Sequence, residues 1–146
     1  MYYVPGLKEC EPLGYWGILC TEAASGYWGL SSYDHETFPI LFAYIKDIEV
    51  RLVQNSVSFL CIPDRLDYRH TKKISEHIYV TDKERTICDM IKYDCQEFHL
   101  LESVFYYYNF GEDADKLEQL AKEYGIYDRL LELRAKAEEV YSSGEE

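Results

Sequence analysis

An α+β fold is what this sequence predicts, and two observations carry it. Short apolar runs rich in β-formers fall between residues 38 and 80. Beyond residue 81, apolar residues recur at the three- and four-residue spacing of amphipathic helices. A chain of 146 residues that is 47% hydrophobic and 16% aromatic has enough material for one packed core, so a single domain over 1–146 is expected. A small sheet from the first half then packs with an opening helix and a C-terminal helical cluster.

The opening helix is "TEAASGYWGL", residues 21 to 30. Thr21 suits its cap, Ala23 and Ala24 favour its interior, and Gly29 suits a left-handed end. "FPILFAY" (38–44), "VSFLCIP" (57–63) and "HIYV" (77–80) are expected strands, the first two with a proline near one end. "KDIEVRLVQN" (46–55) fits a helix as well as a strand and stays open. Three helices are then expected. Their stripes are Phe98, Leu101, Val104, Phe105 and Tyr108; Ala114, Leu117, Leu120, Ala121 and Tyr124; and Leu130, Leu133, Ala137 and Val140. "YNFGED" and "EYGIYD" each offer a glycine stop followed by an aspartate cap, Asp113 and Asp128. Residues 142–146 read as a flexible polar tail.

The stretch "TDKERTICDMIKYD", 81 to 94, begins the helical half. Thr81 stands three residues before Glu84, the spacing of a capping box. Asp82 and Glu84 suit the positive end of the helix dipole. Ile87, Cys88 and Ile91 share one face, and Arg85 and Asp89 are one turn apart. Capping accounts for Thr81 and Glu84 but leaves Arg85, Thr86 and Asp89 undetermined, because an exposed helix surface accepts many residues. A buried structural ion pair is the expectation for Arg85 and Asp89, with the 82–93 helix central to the packing.

The 15 Lys+Arg against 27 Asp+Glu leave a net charge of −12, which disfavours nucleic acid as a partner of the whole chain. The acidity is heaviest over 111–146, where five basic residues meet eleven acidic ones. "RLDYRHTKK" (65–73) runs the other way: Arg65, Arg69, Lys72 and Lys73 are a candidate patch for an anionic partner, against the plainer reading of a solvated loop. The five cysteines are odd in number and form no CxxC pair. Neither a signal peptide nor a membrane-length apolar run appears, so a reducing cytoplasm is expected, with Cys61 and Cys88 in the core. No cofactor or metal site is expected, since the four histidines lack ligand spacing.

Two rival functions arise from the residues. "IPDRLDYRHTKK" carries a Pro-Asp followed by lysines, a fragment of metal-dependent nuclease chemistry that lacks the acidic-x-Lys triplet. Fifteen tyrosines suit an interaction adaptor, with Tyr106, Tyr107 and Tyr127 as the expected surface residues.

"VTDKERTICDMI" resembles the ERT-x-x-D-x-I/L element of the AbiEi-type antitoxins of bacterial abortive-infection systems, the antitoxin half of type IV toxin–antitoxin pairs. "CTEAASGYWGLSSYD" is similar to that family's opening helix, and "DKLEQLAKEYGIYDRLLE" to its closing helices. The likeness covers roughly residues 20 to 141, with the motif at Thr81, Glu84, Arg85, Thr86 and Asp89. Family members begin with a winged helix, for which the twenty residues before the opening helix are too few. The resemblance therefore implies the C-terminal antitoxin domain, without specific DNA binding by this chain. It also implies a non-enzymatic role, counteracting a nucleotidyltransferase-like toxin without a necessary stable complex. No membrane partner is expected.

Overall fold

The apolar runs of the first half pair into one mixed sheet in the computed structural model, which describes residues 17–44, 58–62, 67–75, 78–110 and 113–143. The strands are β1 (Gly17–Leu19), β2 (Ile40–Tyr44), β3 (Ser58–Ile62), β4 (Thr71–Lys73) and β5 (Ile78–Thr81), in the order β3-β2-β1-β5-β4. β1 is central, antiparallel to β2 with Ile18 opposite Phe42 and parallel to β5 with Ile18 opposite Tyr79. β3 runs parallel to β2, and β4 antiparallel to β5 with Thr71 opposite Thr81. The three expected strands are present, but the sheet also recruits β1 and β4, which lie outside the expected runs. Both have three residues, too few to show a period. At Gly17 a Cβ would run into the Phe42 carbonyl oxygen, so glycine allows the close approach of β1 to β2.

Successive strand side chains point to opposite faces. Leu19, Leu41, Ile78 and Val80 meet Ala23 and Ala24 of α1 (Thr21–Tyr27), whereas Ile18, Cys20 and Phe42 cluster separately. Thr21 is not the cap of α1. Cys20 holds that position without a side-chain capping bond, its thiol donating instead to the Ile40 carbonyl at 3.7 Å, and the Thr21 hydroxyl turns to the Cys20 sulfur at 3.9 Å. Gly29, at φ 75°, follows the helix as its sequence position suggests.

Four helices follow: α2 (Lys83–Lys92), α3 (Glu97–Phe110), α4 (Ala114–Tyr124) and α5 (Tyr127–Ser143). Ile87 and Met90 of α2 join Leu101 and Val104 of α3, Leu117 and Leu120 of α4, and Leu130 and Leu133 of α5 in the main core. Packed against α1, α3 and α4, α2 is buried without a break from Glu84 to Met90. Three of its charged residues, Glu84, Arg85 and Asp89, are therefore inside the fold.

The stripe of α3 is rotated from the expected one. Leu100, Leu101, Val104 and Tyr107 face the core, while Phe98 is 56% exposed. The segment is apolar nearly all round, so two adjacent stripes fit its sequence equally well. Tyr107, expected at the surface, is 1% exposed. Tyr106 is exposed as expected, and Tyr127 half-buried. Ala114, the first residue of α4, and Val140 are exposed; Tyr141 packs against the core where Val140 was expected to. Asp113 caps α4, accepting from the Lys116 amide at 3.0 Å, and Gly125 ends it at φ 74°. Asp128 sits within the first turn of α5 rather than at its cap, because the Leu130 amide already bonds the Ile126 carbonyl. Residues 46–55, Arg65, the Pro63-Asp64 pair and the end of the tail lie outside the described residues.

Candidate functional site: a buried arginine clamp

β5 runs directly into α2, which brings the whole motif to the junction of sheet and helices. Thr81 is the last residue of β5, and its hydroxyl shares a hydrogen bond of 2.7 Å with that of Thr86. The cap is Asp82, whose Oδ1 accepts from the Arg85 amide at 2.8 Å. The expected capping box of Thr81 and Glu84 is thus corrected by one residue. "TD" places two cap-competent side chains in succession, and Thr81 remains in the ladder opposite Thr71.

Glu84 points away from the cap. Its carboxylate accepts from the Tyr107 hydroxyl at 2.6 Å and from the Lys116 ammonium at 3.2 Å. The Tyr107 hydroxyl also lies 2.6 Å from the Asp113 carbonyl. Its single proton is shared between two acceptors, which joins α2, α3 and the start of α4. Burial, then the Glu84 carboxylate, pushes the Tyr107 phenol far above its ordinary pKa.

Arg85 is 6% and Asp89 2% exposed. Arg85 Nε donates to Asp89 Oδ2 at 3.0 Å, and Nη1 donates to the Asp67 and Arg69 carbonyls at 2.6 and 2.7 Å. The guanidinium lies 5.5 Å from the Phe42 ring centre. Asp89 Oδ1 accepts from the Tyr124 hydroxyl at 3.1 Å. The Asp89 carboxyl is raised above its ordinary pKa by burial, a shift the Arg85 charge and the Tyr124 bond oppose. Arg85 therefore ties α2 to the turn leading into β4, and its partner Asp89 ties α2 to α4. The spacing and apolar neighbours signalled the pair. Tyr124 and the two carbonyls, distant in sequence, had no such signal.

Of the basic stretch, Arg69, Lys72 and Lys73 lie among the described residues, and all three are exposed. Arg69 is bound to Asp67 through both carboxylate oxygens, the shortest contact being 2.8 Å. That bond holds the Asp67 carboxyl well below the usual range. His70, at φ 57°, lies 3.7 Å from Asp82 Oδ2. Rather than a loop, residues 71–73 are the edge strand β4, with Lys72 and Lys73 exposed. A pocket of 130 Å³ opens between this turn and α4, lined by Arg69, His70, Arg85, Glu123 and Tyr124.

Two further ties have no local sequence signal. Trp28 Nε1 donates to the Thr81 carbonyl at 2.7 Å, and the Ser25 and Ser103 hydroxyls meet at 2.6 Å to join α1 to α3. Cys88 is in the core as expected, and the Cys61 side chain lies outside the description. Burial pushes the Cys20 and Cys88 thiols up and that of Cys95 to about 12, so at neutral pH these three are not thiolates. Among the described residues, no three His, Cys, Asp or Glu side chains are grouped to hold a metal ion, and no helix is long and apolar enough to cross a membrane. No protein-family model, curated protein or solved structure matches this chain.

Proposed function

We propose that this chain is an antitoxin-like, non-enzymatic domain of the AbiEi type, counteracting a nucleotidyltransferase-like toxin in a bacterial phage-defence system. The observation that supports this reading most is the state of the motif. Arg85, Thr86 and Asp89 spend their polar groups on Asp67, Arg69, Thr81 and Tyr124, within the fold. Such a motif maintains a shape and acts through the surface it holds in place. The turn clamped by Arg85 leads directly into the exposed lysines of β4, so the motif and the basic stretch belong to one device. A cytoplasmic location and action without specific promoter binding complete the proposal.

Co-expression with a nucleotidyltransferase encoded in the adjacent reading frame tests it. This chain is expected to restore growth, and a variant with Arg65, Arg69, Lys72 and Lys73 changed to Gln to fold but not protect. No protection by the parent chain contradicts the antitoxin reading. Full protection by the fourfold variant moves the working surface away from β4.

A further inference from the structure

β4 ends the strand order on its side of the sheet, so one of its edges has no strand beyond it among the described residues. We propose that this edge takes an extended acidic segment of a partner protein as an added antiparallel strand. The proposal deepens the antitoxin reading, on which the choice of β4 as the working surface rests.

The register decides which groups are on offer, because antiparallel strands alternate bonded and non-bonded pairs. The Asp82 amide donates to the His70 carbonyl at 2.8 Å and the Ile74 amide to the Ile78 carbonyl at 3.0 Å, so 70/82 and 74/78 are bonded pairs. Lys72 stands opposite Val80 between them, which leaves Thr71 opposite Thr81 and Lys73 opposite Tyr79 as non-bonded pairs. The N–H and carbonyl groups of Thr71 and Lys73 therefore point away from β5, toward the open edge. An added strand pairs with both residues through both groups. The edge is also held ready. Arg85 fixes the Asp67 and Arg69 carbonyls just before it, and the Thr71 hydroxyl donates to the Tyr68 carbonyl at 2.6 Å, so little order remains to be imposed on binding.

Side chains choose the occupant. Lys73 is exposed on the Tyr79 side of the sheet and has no ion-pair partner among the described residues. Asp67, the acidic residue of the preceding turn, is already bonded by Arg69 through both oxygens. Lys72 alternates to the other face, where its ammonium lies 5.5 Å from the Trp28 ring centre. Three lysines and three carboxylates line the depression there. That face is electrically balanced and suits an uncharged side chain. The matching segment thus alternates, with acids on the Lys73 face and an apolar residue toward Trp28. A second copy suits the edge less, because its own β4 brings lysines against lysines.

Fluorescence anisotropy of the full chain with a labelled, capped Val-Glu-Val-Glu-Val peptide tests the site with no toxin present. Saturable binding below about 1 mM is expected. The same peptide N-methylated at both glutamates keeps its charge but lacks the amide hydrogens that meet the Thr71 and Lys73 carbonyls, and is expected to bind at least about ten-fold more weakly. Val-Lys-Val-Lys-Val is expected to bind about five-fold more weakly than the acidic peptide, although the net charge of −12 alone favours it. Lys73→Glu is expected to reverse that preference, and Lys122→Glu, exposed on α4, to leave it unchanged. Circular dichroism establishes that both variants fold. In amide exchange, Thr71 and Lys73 are expected to exchange faster than Lys72 in the free chain and to slow on saturation with peptide. Absence of binding at about 5 mM overturns the proposal. So does equal affinity for the N-methylated peptide, or a preference of the parent chain for the basic one. Protection of both amides in the free chain that rises with its concentration gives the edge to a second copy, and likewise overturns it. Peptide binding without rescue of growth supports this inference and removes the antitoxin reading; rescue without peptide binding does the reverse.

Discussion

Two neighbouring arginine–aspartate pairs are similar in length and opposite in surroundings. Arg85–Asp89 spans 3.0 Å with side chains 7% and 3% exposed; Arg69–Asp67 spans 2.8 Å with side chains 83% and 46% exposed. Distance alone ranks the exposed pair first. Burial reverses the order, because water replaces a lost partner at the surface and nothing replaces it inside. The pairs are also connected in series: Arg85 holds the carbonyls of both residues of the outer pair. The inner pair therefore fixes the backbone on which the outer one is displayed.

The largest effect expected from this contrast is at Arg85. Arg85→Ala is expected to cost roughly 3–5 kcal/mol in chemical denaturation, since Asp89 keeps a buried charge and two carbonyls lose a donor. A cost near the surface-pair value, about 0.5 kcal/mol, breaks the comparison. Tyr107→Phe comes next, at about 1–3 kcal/mol, because the phenol serves the buried Glu84 carboxylate and the Asp113 carbonyl together. Asp82→Ala is expected to cost about 1 kcal/mol as the loss of a helix cap. Smallest is Arg69→Ala, whose unfolding midpoint is expected to match the parent's within error, since its side chain is 83% exposed.

Acid sharpens the same contrast through sign. Asp67 is held below the ordinary carboxylate range by Arg69. Its contribution is present above the unfolded pKa and fades as pH falls, and is small because solvent screens the pair. Asp89 is raised by burial, so the folded state binds the extra proton and stability declines as pH rises from the ordinary carboxylate value toward the raised one. Melting midpoints followed from about pH 7 down to about pH 4 are expected to fall more steeply in Asp89→Asn than in the parent, and slightly less steeply in Asp67→Asn.

Most of the architecture was readable where the chain has length. The helices announced themselves through period, and the strands at 40–44, 58–62 and 78–81 through composition. Arg85 and Asp89 were readable as a buried pair because apolar residues surround them on a short helix. Reading failed where two adjacent choices were chemically equal: Thr81 against Asp82 as the cap, and the 98/105 stripe against the 100/107 stripe on α3. Reading failed also where the partner is remote. Nothing near residue 28 says that its indole reaches the carbonyl of residue 81, and nothing near residue 107 says that its hydroxyl finds Glu84. Strands of three residues carry no period at all, so β1 and β4 emerged only from pairing.

The measurement that bears most directly on the clamp is a double-mutant cycle for Arg85→Met and Asp89→Leu, read by denaturant unfolding of the full chain. Each single change is expected to be severe and the double change to be milder than the sum of the two by about 1–3 kcal/mol, because removing both charges leaves neither one buried alone. Additivity of the two single costs to within about 0.5 kcal/mol contradicts a coupled buried pair, and with it the claim that the motif is an internal clamp.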